Sequence, residues 1–188
     1  MVGAALQLFF LRQLSFSHFD FPRWQAVLEI TALGILAGFD PGLRAPPAEI
    51  PSLPIGFIIP ANLLGVWAAF LIFLGILRPW LRRGGRWDGH GDLFNLVATS
   101  WLVADLLVIG LTNLDVPMPF VLPLWLYSFW VSGHALASAI PGASLRYCVA
   151  GILLALAPAL VVSGLIVILT KLVAGDIGTL LGLLPAAP

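Results

Sequence analysis

The chain has 188 residues, of which 60% are hydrophobic and 10% are charged, and its formal net charge is zero. Soluble domains carry about 25% charged residues, and a small soluble fold has too little interior for this much apolar surface. The composition therefore predicts an integral membrane protein. It excludes nucleic acid as a partner, because the chain has no excess of basic residues. The single cysteine excludes an internal disulfide and zinc sites that need several cysteines.

The N-terminal stretch from Ala5 to Phe21 mixes Phe and Leu with Gln, Arg and Ser. It is too short and too polar to span a bilayer, and its imperfect amphipathic pattern predicts a helix lying at the membrane interface. We do not expect a cleaved signal peptide, because no Lys or Arg precedes the apolar part of this stretch.

Five apolar segments follow, and a spanning helix needs about 20 apolar residues. We therefore predict an all-α integral membrane protein, a single domain over residues 1–188 with five transmembrane helices near residues 24–39, 55–77, 93–111, 120–140 and 147–169. Pro158 predicts a kink in the last span. Residues 40–54 contain five prolines and should be irregular. The residues after Lys171 look too short and too rich in Gly to span, which predicts a short surface helix.

Basic residues predict the orientation, because Lys and Arg concentrate in cytoplasmic loops. With the N-terminus inside, seven arginines lie in the cytoplasm, and only Arg44 and Lys171 lie outside. We therefore expect the N-terminus inside and the C-terminus outside. The loop at residues 78–92 is the predicted cytoplasmic anchor, touching lipid head groups through its basic residues Arg78, Arg82, Arg83 and Arg86.

Three ionisable residues fall within the predicted spans: Glu29, Asp105 and His134. Charged groups in the hydrocarbon are costly and usually face the interior of a helix bundle. They could form a path for protons or cations, or only interhelical hydrogen bonds that fix packing. Asp105 is the one that we expect deep in the membrane.

The sequence DGHGD, residues 88–92, could suggest a metal site through Asp88, His90 and Asp92. Turn chemistry is the better interpretation, because glycines flank His90 and no second group of ligands appears in a cytoplasmic loop. Asp92 is well placed to cap the next helix. No catalytic, nucleotide-binding or cofactor motif is present, so we expect neither an enzyme nor a bound cofactor or metal.

The fourth predicted span has an aromatic half and a half rich in small residues. Trp125 and Trp130 bound the aromatic part, and Gly133 and Ala137 form a small-xxx-small pair that allows close helix approach. These residues could pack within the chain or against a partner. Since lipid offers no special stabilisation for Trp away from the interface, we expect an intermolecular contact with another membrane subunit or with a second copy.

Two segments resemble the Yip1 family of small membrane proteins. GGRWDGHGDLFNLVATSWLVADLL, residues 84–107, resembles the family's glycine-rich loop and third helix, and residues 124–162 resemble its aromatic helix, short loop and fifth helix. Residues 14–30 resemble its approach to the first helix. The resemblance implies five spans, a cytoplasmic N-terminus and a non-catalytic accessory or scaffold protein that accompanies other membrane proteins. The bias toward Ala, Leu, Gly and Pro suggests a bacterial inner membrane. The alternative is a small transporter or channel component that uses Asp105, Glu29 and His134.

Overall fold

A computed structural model describes residues 1–39 and 54–180 of the chain. These residues form α-helices without any strand, together with two short 3-10 turns at Phe16–Phe19 and Arg83–Gly85. The predicted all-α class is therefore confirmed for the described residues. The helices are α1 (Val2–Phe9), α2 (Trp24–Ala37), α3 (Ile55–Arg82), α4 (Leu93–Asn113), α5 (Met118–Ala139) and α6 (Leu145–Leu180).

Four helices, α3 to α6, are long and apolar enough to cross a membrane. They match four of the five predicted spans, whereas the first predicted span is shorter than expected. Helix α2 contains 14 residues and ends at Ala37, so it is only about 21 Å long at 1.5 Å per residue. A bilayer core is about 30 Å thick. The prediction of five transmembrane helices is therefore not confirmed.

Helix α6 is much longer than predicted. It runs without a break from Leu145 to Leu180, through Pro158 and past Lys171, so the prediction of a separate surface helix after Lys171 is wrong. Glycine in a helix costs only about 1 kcal/mol relative to alanine, and an existing helix extends more easily than a new one starts. The apolar residues between the glycines therefore continue the helix.

The N-terminal stretch is only partly helical. The predicted helix over residues 5–21 is wrong in its extent, because α1 ends at Phe9 and Leu11 takes a positive φ of 55°. The chain then continues to the 3-10 turn. Ala5 and Leu8 are buried, and α1 packs against α4 and α5. The hydroxyl of Tyr127 on α5 donates to the backbone carbonyl of Phe9 at 2.5 Å. This short helix is therefore attached to the bundle.

The helices pack as a bundle in which the most extensive pairing is between α3 and α6. Helix α2 packs against α3 and α4, and α5 packs against α4 and α6. Two glycines spaced four residues apart bring α2 close to α3. A Cβ on Gly34 would lie 2.9 Å from Cα of Leu63, and one on Gly38 would lie 2.9 Å from Cα of Ile59. This is the close backbone approach that a GxxxG motif allows.

Three segments meet at one end of the bundle, which we call the arginine end: residues 10–23, 78–92 and 140–147. The guanidinium of Arg23 pairs with Asp92 at 2.7 Å. The side chain of Asn95 donates to the carbonyls of Phe19 at 2.9 Å and Phe21 at 2.7 Å. These contacts join the N-terminal segment to the start of α4. The seven arginines that predicted the orientation all lie in these three segments.

Residues 40–53, with Arg44 and nearly all of the predicted irregular loop, lie outside the described residues. So do residues 181–188.

Candidate functional site

A partly open cavity of about 250 Å³ lies within the bundle and is lined by all five helices from α2 to α6. Its wall is mainly apolar. Asp105 on α4 is the charged residue of the described lining, and Ser128 on α5 and Ser163 on α6 add hydroxyl groups. Because small-molecule sites in bundles are apolar cavities with a few polar groups, this cavity is the candidate site.

Asp105 reaches the cavity because of its position on α4. Trp101 and Ile109, one turn before and one turn after it, line the same cavity, as expected for residues spaced by four on one helix face. The side chain is half-buried. In the described part of the chain it makes no hydrogen bond or ion pair. The described residues thus show no interhelical hydrogen bond from Asp105, and this side chain lines the cavity.

Glu29 on α2 is buried, with 4% of its surface exposed. Neither carboxyl oxygen has a hydrogen-bond partner. Glu29 lies one turn before Leu33, which lines the cavity, and it interacts electrostatically with Asp105. An isolated buried carboxylate is costly in an apolar interior. Two carboxyl groups therefore lie near one another, and the N-terminal amino group is a positive charge that also acts on Glu29.

His134, the third predicted intramembrane residue, lies elsewhere. It shares a face of α5 with Tyr127 and Ser138, because the spacings of seven and four residues repeat along one side of a helix. Tyr127 contacts Phe9, and Ser138 contacts the backbone of Leu14. His134 therefore faces the N-terminal segment. Its Nε2 atom is buried without a hydrogen-bond partner.

Three hydrogen-bonded serines lie next to the cavity, and reasoning from the sequence did not identify this group. The hydroxyls of Ser100 on α4 and Ser132 on α5 are 2.8 Å apart, and Ser132 also donates to the carbonyl of Ser128 at 3.0 Å. All three are buried. The spacing of four between Ser128 and Ser132, within an apolar span, was the available signal. The bond between Ser100 and Ser132 joins α4 to α5.

The DGHGD loop forms turns at the arginine end. The backbone N–H of His90 donates to the Asp88 carboxylate at 2.8 Å, and this bond lowers the pKa of Asp88 below its usual range. Gly89 and Gly91 take positive φ values of 90° and 89°. Asp92 accepts from the N–H groups of the first turn of α4, so the predicted cap is confirmed. Among residues 1–39 and 54–180, no cluster of three or more acidic, His or Cys residues could hold a metal ion.

Three of the four predicted anchor arginines lie over aromatic rings. Arg82 is 5.6 Å from the centre of the Trp87 ring, and Arg83 is 5.6 Å from that of Trp80. Arg86 is 3.8 Å from the ring centre of Tyr147. Arg78 is exposed in the last turns of α3. Cations over aromatic faces gain about 0.5–1 kcal/mol at exposed sites, so these contacts order the arginine end.

The predicted packing residues of α5 point in different directions. Gly133 is buried against α6, where an added Cβ would lie 2.6 Å from Cγ2 of Val149. Trp125 lines the cavity, and Ala137 is half-buried. Trp130 is 46% exposed on the outside of the bundle. Gly133 therefore serves packing within the chain, while Trp130 remains available to another molecule.

Comparison with models of known protein families, with curated proteins and with solved structures gave no significant match.

Proposed function

We propose that the chain is a non-catalytic accessory or scaffold protein of a bacterial inner membrane, which packs against other membrane proteins or a second copy of itself. Four long apolar helices support the membrane location. The resemblance of residues 84–107 and 124–162 to the Yip1 family supports the accessory role. The membrane lipids are its other partner, through the arginine end.

Trp130 is the observation that carries this proposal. It lies 12 residues after the start of α5 and nine before its end, so it is about 18 Å and 14 Å from the two ends. This position is far from the interfacial belts where lipid favours Trp. Leu126 and Leu122, one and two turns earlier on the same face, are also exposed. Trp130 and these two leucines thus form one exposed face of α5. The large aromatic side chain of Trp130 fits a contact with another protein.

Photocrosslinking in native membranes tests the accessory role. A benzoylphenylalanine in place of Trp130 should give protein adducts, and an adduct of twice the chain mass identifies a second copy. The matched control is the same residue in place of Leu165, which is 53% exposed on α6 and is expected to face lipid. Equal adduct yields at the two positions would argue against a partner on the Trp130 face.

For the topology, we propose five crossings with the N-terminus inside. Helix α2 starts beside the arginine end, where Arg23 meets Asp92. Gly38, which directly follows the end of α2, packs against Ile59. Ile59 lies near the start of α3 and 23 residues before that helix ends at Arg82. The contact supports α2 as a short crossing that packs against α3 and α4.

The cavity favours a second candidate function, a small transporter or channel component. Asp105 lacks a hydrogen-bond partner in the described part of the chain and lies within electrostatic range of Glu29. Ion flux into vesicles that contain the purified protein tests this candidate. A folded Asp105→Asn variant should lose transport of protons or cations, while an accessory protein should keep its complexes unchanged. His134 lies on another face and is not part of this path.

A further inference from the structure

The cavity beside Asp105 has an aromatic wall. Phe73, Trp101, Trp125 and Phe129 all line it. The rings are held in pairs, with centres 5.4 Å apart for Phe73 and Trp101 and 4.6 Å apart for Trp125 and Phe129. Both pairs are edge-to-face, a stable arrangement of aromatic rings. Because ring faces attract cations, above all quaternary ammonium groups, this wall suits a positively charged organic group.

The charges near the cavity point to the same class of ligand. Asp105 makes no hydrogen bond or ion pair within residues 1–39 and 54–180. Glu29, on which the N-terminal amino group also acts, adds a second carboxyl group nearby. No Lys or Arg occurs in the described lining of the cavity. A cation bound beside Asp105 would therefore compensate a carboxylate that is otherwise costly in an apolar site.

An inorganic cation fits this cavity poorly. Hard metal ions need about six to eight oxygen ligands. The described wall offers the Asp105 carboxyl group and the hydroxyls of Ser128 and Ser163, and the Ser128 hydroxyl already donates to the carbonyl of Trp125 at 2.7 Å. An organic ammonium needs fewer oxygen atoms, because aromatic faces and apolar side chains contact its alkyl groups.

We propose that this cavity binds a small organic cation, an ammonium group attached to an apolar body. The ammonium group lies between the Asp105 carboxylate and the aromatic wall, and the apolar body contacts side chains such as Leu156 and Leu160 of α6. The volume of about 250 Å³ lies just below the usual range of about 300–1,000 Å³ for ligand pockets. This size fits a compact ligand.

This inference rests on the second candidate function, for which it names a ligand class, and it does not require that the ligand be transported. Binding to purified protein is independent of the crosslinking that tests the accessory role. If the purified chain does not bind the probe, crosslinking still tests the accessory role, and if crosslinking fails, binding can still be measured.

The experiment measures binding of radiolabelled phenyltrimethylammonium to the purified chain in lipid nanodiscs. We expect saturable binding that unlabelled phenyltrimethylammonium displaces. The matched competitor is tert-butylbenzene, which has the same shape without the charge and should not displace the probe at equal concentration. This comparison uses the wild-type chain alone, so it does not depend on whether a variant folds.

Two variants and one control locate the site. Asp105→Asn should weaken probe binding by about tenfold or more, because it removes the charge beside the ammonium group. Trp125→Leu should weaken binding by about two- to thirtyfold. Asp115→Asn makes the same chemical change in the exposed connection between α4 and α5, and it should leave affinity unchanged.

Absence of saturable binding overturns the proposal, as does equal displacement by tert-butylbenzene. A folded Asp105→Asn variant with wild-type affinity also overturns it. If Asp105→Asn does not fold, the competitor comparison and Trp125→Leu decide the result.

Discussion

Single polar residues determine how the N-terminal segment is held. Asn95 is completely buried, and its side-chain amide donates to two carbonyls, those of Phe19 and Phe21. Buried carbonyl groups that lose their partner incur the cost of desolvation. One side chain at the start of α4 thus satisfies the backbone of a segment more than 70 residues away in sequence.

Replacing Asn95 with leucine should therefore destabilise the fold. Asn95→Leu keeps much of the volume but leaves both carbonyls without their donor, and we expect a loss of about 1–3 kcal/mol in the free energy of unfolding. Titration with SDS, followed by circular dichroism, measures this change. The control is Asn113→Leu at the other end of α4, where the side chain is exposed and the expected change is below about 0.5 kcal/mol. Equal losses in the two variants would contradict this role.

At the scale of elements, glycine decides how closely two helices approach. The α2–α3 contact depends on Gly34 and Gly38, which face the backbone of Leu63 and Ile59. The backbone of a packed helix moves less easily than the end of a side chain, so an added methyl group at Gly34 separates the helices. Gly110 on α4 is different, because an added Cβ there meets nothing within 4 Å.

Replacing Gly34 and Gly110 with alanine should change the free energy of unfolding in opposite directions. Gly34→Ala should lower the free energy of unfolding by about 1–3 kcal/mol, since it overpacks the helix contact. Gly110→Ala should raise it by about 0.5–1 kcal/mol, because alanine is the better helix former and the space is open. The same SDS titration compares them. A stabilising Gly34→Ala would show that α2 is free to move away from α3.

Helix boundaries show where sequence reasoning succeeded and where it failed. The apolar runs predicted α3, α4 and α5 closely, because hydropathy and length suffice for a helix with polar residues or proline at both ends. They failed for α6, since the composition after Lys171 resembles a loop although the helix continues. They also failed for α1, which ends near Leu11 with its positive φ.

The candidate site was only partly predictable for a related reason. Asp105 and Glu29 were identified by their charge in apolar segments, and the structure places them near one another. Their separation from His134, and the aromatic wall of the cavity, depend on which face each helix turns inward. The sequence of an almost uniformly apolar helix carries little periodic signal for its inward face. That face is seen only from the packing between the helices.

At the scale of the whole molecule, the arginine end gives the bundle its polarity. Arg23 and Arg86 take part in contacts that join separate segments there, and the basic residues that predict the orientation lie at this one end of the fold. The connection between α4 and α5, with Leu114 76% exposed, lies at the other end of these two helices. The proposed orientation puts the seven arginines on the cytoplasmic side, and it therefore puts this connection outside.

Single-cysteine labelling in intact cells tests that orientation. In a Cys148→Ala background, a cysteine in place of Leu114 should react with a membrane-impermeant maleimide added from outside. A cysteine in place of His90, whose side chain is 89% exposed, should react only after the cells are opened, because the proposed orientation keeps the arginine end in the cytoplasm. Both positions are exposed in the fold, so a difference in labelling reports the side of the membrane and not burial. Labelling of His90→Cys in intact cells, with protection of Leu114→Cys, would reverse the proposed topology.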